Sequence, residues 1–529
     1  MRGQVNDWLR LAIAHCVRIA GLVMSVWQRL RIYTFAANQQ RLRRRYNVTL
    51  DTPILSYGPE VERSIATAAR KTGHGARFAL TSGSAGDPKR LLYTNHRLRT
   101  LKFLFSDMFA RACWTFRLKR TSLYVFSTFE RDASLTSMLL EEMDLPNYFT
   151  TLQAPYRVQR HPAIRALAAE YGATAVRLWI IAVANPGVIY ATNPSTISIF
   201  FDELEKNWRE SSRLIRTWRK DRKRFNKDVR RIARRLDSVG SKNRLAAIAS
   251  SDKPVPVQLW APALAAYICW TGGYLRPFLD RLQVYLPSAR YRLIPMYSMS
   301  TETIETLSNF EKDDVAFLPL PGGILFEFLD ESERVINANE LQPGKLYEMI
   351  VSNGFGLRRY RTNDLFLCRR KVRGLPDLAF IKRRGLEYSF TGEKLTAEQL
   401  TIVFNQLRTQ YPRVFAGRFL TCVPSQPPRA LPHYKILIIG EHSGVAVHDK
   451  ELAMKCDELL RQVNCEYRNK RAGGVLGEVQ IVETGTKQFA ENFSANAAWE
   501  SQFKFLPLRQ ELWESGCSHL TSPIVEAVS

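Results

Sequence analysis

Apolar residues at Leu98, Leu101, Phe105, Met108, Phe109 and Ala112 recur every three or four positions, the spacing that gathers side chains on one helix face. Thr94 or Asn95, just ahead of them, can cap that helix with a side-chain oxygen for the first unpaired backbone N–H groups. A further helix is predicted from Asn193-Pro194, a cap residue with proline in the first turn, and Ile197, Phe200, Phe201 and Leu204 give its buried stripe. Short apolar runs predict strands at ARFAL (76–80), LLY (91–93) and SLYVFSTF (122–129). More follow at VAFLPL (315–320), ILFEFL (324–329), KLYEMIV (345–351) and DLFLCRR (364–370). Helix 396–408, strand 435–440, helix 449–463 and strand 479–483 complete the series.

Strands and helices alternate to about residue 310, which argues for an α/β fold, and the strand-rich stretch after it suggests an added β-subdomain. At 529 residues the chain is too long for one ordinary core. The pattern divides it into a basic and apolar helical segment at 1–36, a large α/β domain with mixed sheets at 37–385, and a small α+β domain at 386–529.

The first segment is apolar from Ile19 to Trp27, short of the ~20 residues that span a bilayer. Extending it backward brings in His15, Arg18 and Arg10. We read one helix there and a basic one from Gln28 to Tyr46. Docking onto the body of the protein is the expectation. Peripheral attachment to an anionic membrane is the alternative, because an apolar face beside arginines suits such a surface.

Lys+Arg 76 against Asp+Glu 50 gives a formal charge of +26, which favours anionic partners. Fourteen Lys and Arg fall between 206 and 235, interleaved with Leu214, Ile215, Trp218, Phe225, Val229 and Ile232. The plain reading is helices with a solvated basic face; the sharper one is contact with an anionic membrane, nucleic acid being the less expected partner. The eight cysteines are scattered and no pair has C-x-x-C spacing, so buried free thiols and a reducing cytoplasm are expected, with a membrane-peripheral location as the variant.

Four distant segments carry side chains suited to nucleotide chemistry. In TSGSAGDPK (81–89), glycines let backbone N–H groups approach phosphate oxygens, hydroxyls add donors and Lys89 adds charge. It is not a P-loop, since Gly83 and Gly86 are too close together. Ser300-Thr301-Glu302 offers hydroxyls and a carboxylate able to hold Mg²⁺ between phosphates, or simply a helix cap. Asp364, ending RRYRTND, accepts only, which suits a ribose diol or a turn. Lys504 in QFK could stabilise a charged phosphorus centre or lie on the surface.

Together these segments resemble the adenylate-forming superfamily, and more closely the plant auxin-responsive acyl-acid amido synthetases and their bacterial relatives. The resemblance covers roughly 35 to 510 and implies a large adenylation domain with a mobile C-terminal lid. It also implies ATP and Mg²⁺, adenylation of a carboxylic acid, and transfer of the acyl group to an amine, usually an amino acid. By its motifs Thr81, Ser82, Gly83, Ser84, Gly86 and Lys89 form the phosphate-binding loop. The resemblance implies that Tyr297 stacks on adenine beside Ser300 and Thr301 and that Glu302 holds the metal. It likewise implies that Asp364 contacts the ribose, that Arg383, nine residues before Gly392, acts at the hinge, and that Lys504 is the adenylation lysine. Asn363 replaces a glycine of the family pattern, and Ser298 and Met299 separate Tyr297 from the STE triplet. An acid–thiol ligase, or a degenerate relative that uses the fold as a membrane- or nucleic-acid-binding scaffold, stays open as an alternative.

Overall fold

The computed structural model describes residues 2–80, 89–127, 129, 135, 138–139, 148–272, 275–312, 314–385, 387–391, 393–427, 430–440, 449–492 and 505–510. They divide into two compact units. The larger is built from 2–80, 89–271 and 283–380, and the smaller from 272–282 and the chain from 381 onward.

The core of the larger unit joins three kinds of sheet. Leu123–Val125, Val188–Tyr190, Ala266–Ile268 and Arg292–Ile294 form a parallel sheet in chain order, with helical crossovers between strands, as the α/β pattern predicts. A three-stranded antiparallel sheet follows, Tyr297–Met299, Ile304–Phe310 and Val315–Leu318. The β-subdomain is five-stranded, in the order Val335–Asn337, Ile324–Leu329, Leu346–Asn353, Tyr360–Val372, Leu375–Arg383.

Several expected elements form where the pattern puts them. Ala76–Leu80 pairs antiparallel with Arg90–Thr94, and Thr94 caps the helix Asn95–Thr115 by accepting from the Arg97 backbone N–H at 3.0 Å. Pro194–Lys206 starts at its proline. In the basic stretch, helices Arg213–Lys220 and Lys227–Leu236 bury Leu214, Ile215, Trp218, Val229 and Ile232 and leave most of their Lys and Arg in solvent, which is the plain reading.

The first helix differs from expectation in length. It runs without a break from Arg2 to Tyr33, and a second helix, Phe35–Arg45, begins only after Thr34. No proline interrupts the first thirty-three residues, so nothing forces a stop at Gln28. Among the described residues it is the one helix long and apolar enough, by length and composition, to cross a membrane.

In the smaller unit Phe419–Ser425 and His433–Ile439 pair antiparallel, and Gln480–Thr484 joins the latter in parallel. Helices Ala397–Gln410 and Asp449–Val463 supply Leu400, Val403, Phe404, Leu452 and Leu460 to its core. Of the seven described cysteines all are free thiols; five are buried, whereas Cys16 and Cys465 are exposed.

Candidate nucleotide-binding site

The loop 81–88 lies outside the described residues, so Thr81, Ser82, Gly83, Ser84 and Gly86 receive no structural account. Its two ends are described. The loop joins the antiparallel strands Ala76–Leu80 and Arg90–Thr94, whose register sets Leu80 opposite Arg90.

Lys89, at the exit of that loop, points its ammonium into the larger unit. Nζ donates to Glu302 Oε1 at 3.1 Å and to the Tyr360 hydroxyl at 2.8 Å, and the charge stands 5.6 Å from the ring centroids of both Tyr57 and Tyr360. Glu302 is buried. A buried carboxylate is costly without a cation, and Lys89 supplies one.

Ser300, Thr301 and Glu302 do not cap a helix; they form the turn between strands Tyr297–Met299 and Ile304–Phe310. The Ser300 backbone N–H donates to Thr303 O at 2.9 Å, closing the turn. Two side chains grip it from outside: the Tyr93 hydroxyl donates to Thr301 O at 2.8 Å and Arg97 Nη2 to Glu302 O at 2.7 Å. The Arg97 guanidinium lies 3.9 Å from the centroid of the Tyr93 ring, so each grip braces the other. The strand pairing shifts register between Ser298 and Met299, which is how the hairpin takes up the residues separating Tyr297 from the triplet.

Tyr297 itself requires a correction. Its ring is buried in the core edge-on to Phe105, and its hydroxyl is paired with that of Tyr190. The ring is therefore core packing, and adenine stacking does not suit this side chain.

Asp364 is placed by a bulge. Strand Tyr360–Val372 pairs Arg361 with Ile350 and Leu365 with Glu348, so three residues, 362–364, oppose Met349 alone. The Thr362 hydroxyl donates to Met349 O at 2.8 Å and accepts the Asp364 backbone N–H at 3.1 Å. Asn363 holds φ +63° at the crest, the left-handed region that glycine favours and asparagine tolerates best among the rest. The replacement of glycine by asparagine thus preserves the turn.

The arginines of the same motif are structural. Arg361 binds Glu348 through two N–H···O contacts at 2.7 and 2.8 Å. Arg359 binds Glu327 and donates to the carbonyls of Leu50 and Thr52.

Glu305 escaped the motif reading. It is fully buried, its Oε2 accepts from the Ser298 hydroxyl at 2.7 Å, and its Oε1 has no hydrogen-bond partner among the described residues. Burial first, and then the charge of Asp364, push its carboxyl up to about 8; the charge of Glu302 adds to the effect. Three carboxylates, Glu302, Glu305 and Asp364, thus share one electrostatic neighbourhood. Among the described residues no three metal-ligating side chains are placed to share an ion. Glu302 alone suits Mg²⁺, which takes one or two carboxylates and draws its other oxygens from phosphates and water.

Arg383 ends the strand Leu375–Arg383, and only its backbone is described. Lys504 lies outside the described residues. The segment just after it is anchored in the smaller unit: Phe505 packs against Phe278, Phe419 and Phe489, and the Cys422 backbone N–H donates to Pro507 O at 2.8 Å.

Comparison with known proteins places this arrangement. Residues 73–291 match the GH3 family N-terminal domain, 317–383 its central domain and 398–511 its C-terminal domain. A jasmonoyl–L-amino acid synthetase, GH3.5 of Oryza sativa subsp. japonica, is 26% identical over 275 residues, 46% of this chain and 45% of that protein. The indole-3-acetic acid-amido synthetase GH3.4 of Arabidopsis thaliana is 23% identical over 333 residues, 58% of this chain and 54% of its own. The chain thus spans about half the length of these curated relatives. In fold, it is similar to the AtGH3.15 acyl acid amido synthetase solved with 2,4-DB, with a TM-score of 0.67 at 16% identity, covering 96% of this chain and 93% of that one. With all three of the family's domains matched in order, the chain belongs to the GH3 family.

Proposed function

We propose that this protein is an ATP- and Mg²⁺-dependent acyl-acid amido synthetase. The observation that carries the reading is the meeting of Lys89 with Glu302, from two distant segments, beside Glu305, which the charge of Asp364 from a third segment also reaches. The names of the curated relatives, which are amido synthetases of indole-3-acetic acid and jasmonate, support it.

In the first step a carboxylate oxygen of the acid attacks the α-phosphorus of ATP, and the bond to the β-phosphate breaks, releasing pyrophosphate. Loop 81–88 and Lys89 would hold the phosphates, Glu302 the metal, and Asp364 the ribose diol. Arg383 and Lys504 would add positive charge where it builds on phosphorus. In the second step an amine nitrogen, on an amino acid in the relatives' chemistry, attacks the acyl carbon. AMP departs with the bonding pair and the amine loses a proton. Free thiols among the described cysteines suit a reducing, cytoplasmic setting.

Acid-dependent exchange of pyrophosphate into ATP, across aryl, indolyl and fatty acids, tests the reading. One acid class should support exchange, and Lys504→Ala should lower it at least about a hundredfold while ATP binding persists. Absence of exchange with every acid, despite ATP binding, would overturn it.

A further inference from the structure

The Arg2–Tyr33 helix is turned inside out. Trp8, Ile19, Leu22, Val26, Leu30 and Tyr33 fall within an arc of about 80° at the α-helical turn angle, and all six are exposed, Trp8 by 68% and Tyr33 by 74%. The face toward the protein carries polar side chains as well as the buried Ala14 and Ile32. Asn6 donates to Asp237 O at 2.6 Å, Arg10 to Leu236 O at 2.6 Å, Gln28 to Ser308 O at 3.2 Å and Arg31 to Leu320 O at 2.6 Å. Midway, Gly21 lies so close to the helix Asn95–Thr115 that a Cβ there would meet Ala110 O at 2.0 Å. That neighbouring helix extends the apolar surface with exposed Phe103, which meets Trp27 edge-on at 5.6 Å, and exposed Trp114.

We propose that this face seats the protein on an anionic lipid surface, the helix lying in the plane of the headgroups. Its length, about 48 Å at the α-helical rise, would suffice to cross a bilayer, but crossing would tear the four polar side chains from their carbonyls. Lying flat costs none of them. The rim suits lipid: tryptophan and tyrosine belong at the interface, and the first 46 residues hold nine arginines against a single acidic residue, Asp7. The same charge argues against a second copy as the occupant, since pairing would bring two arginine-rich faces of a +26 protein together.

The test is co-sedimentation of the full chain with vesicles of phosphatidylcholine containing about 30% phosphatidylserine, beside vesicles of phosphatidylcholine alone. The wild type should partition onto the anionic vesicles and bind less as salt rises. Val26→Asp with Leu30→Asp, both at exposed positions, should lower that partition at least about tenfold while the denaturation midpoint and ATP binding hold. Failure of the wild type to bind, equal binding to neutral vesicles, or unchanged binding by the double variant would each overturn the proposal. So would a lipid-free dimer, seen by light scattering, that the double variant dissolves, because the occupant would then be a second copy.

Discussion

Two regions of the larger unit send polar side chains inward, and they differ in what those side chains meet. Along the first helix Asn6, Arg10, Gln28 and Arg31 each reach a backbone carbonyl of a distant segment. Each contact matches a donor to an acceptor and fixes the helix in place, although Arg10 Nε, Gln28 Oε1 and Arg31 Nη1 are buried without a hydrogen-bond partner among the described residues. At the hairpin, Glu302, Glu305 and Asp364 bring like charges together, with Lys89 on Glu302. Nothing about folding requires that crowding. Buried polarity that is paired off holds a structure together, whereas buried charge that is left crowded is an arrangement waiting for a ligand.

The largest effect expected from this contrast is in the pH dependence of stability. Glu305 has an ordinary value of 4.5 and is pushed up to about 8 in the folded protein, so the folded state holds the proton more tightly than the unfolded one. Its contribution is therefore fully present below the ordinary value and is lost as pH rises through the folded one. Glu305→Gln keeps the shape and cannot ionise. The difference in unfolding free energy, wild type minus variant, should fall between those two values by up to about 1.4 kcal/mol per pH unit and then level off. Urea titrations at a series of pH values would read it. A flat difference would put Glu305 in the same class as the polar side chains that only hold the helix in place.

A smaller effect tests the helix. Gly21→Ala places a methyl against the Ala110 carbonyl and 2.9 Å from Trp114 Cβ, and backbone cannot step aside as a side-chain tip can. Overpacking of this kind should cost about 2 kcal/mol, read as a lower denaturation midpoint. No loss would mean that the helix does not rest where its hydrogen bonds place it, and the contrast with the hairpin would fail.

How much of this was legible depends on the reach of each signal. The strand Ala76–Leu80, the Thr94 cap and the helix Asp449–Val463 follow from neighbours in sequence, and the pattern found them. Glu302 and Asp364 were found as motif members, but the reason Asp364 stands out is Met349 on the partner strand, which no local reading supplies. Asn363 read as a departure from the family and proves to be a residue suited to a left-handed crest. Tyr297 read as an adenine partner and is core, because Phe105 and Tyr190, both far away in sequence, take its ring and hydroxyl. Glu305 left one trace: a lone acid within the strand Ile304–Phe310, where five successive residues are buried. The inverted first helix was legible as apolar and basic together, yet which face turned outward depended on carbonyls two hundred and more residues away.

The smallest effect is the one that most sharpens the contrast. Trp8→Ser removes the more exposed of the first helix's two tryptophans, and tryptophan and serine have similar helix propensity. In water the stability should shift by less than about 0.5 kcal/mol, since the ring has little apolar contact to lose. A tryptophan packed in a core would cost several times as much. The same change should weaken partition onto anionic vesicles, so the residue would matter to binding and not to folding. A loss of stability approaching that of a core tryptophan, in the absence of lipid, would show that the ring is already covered in solution, and the outward face would then be an interface with protein.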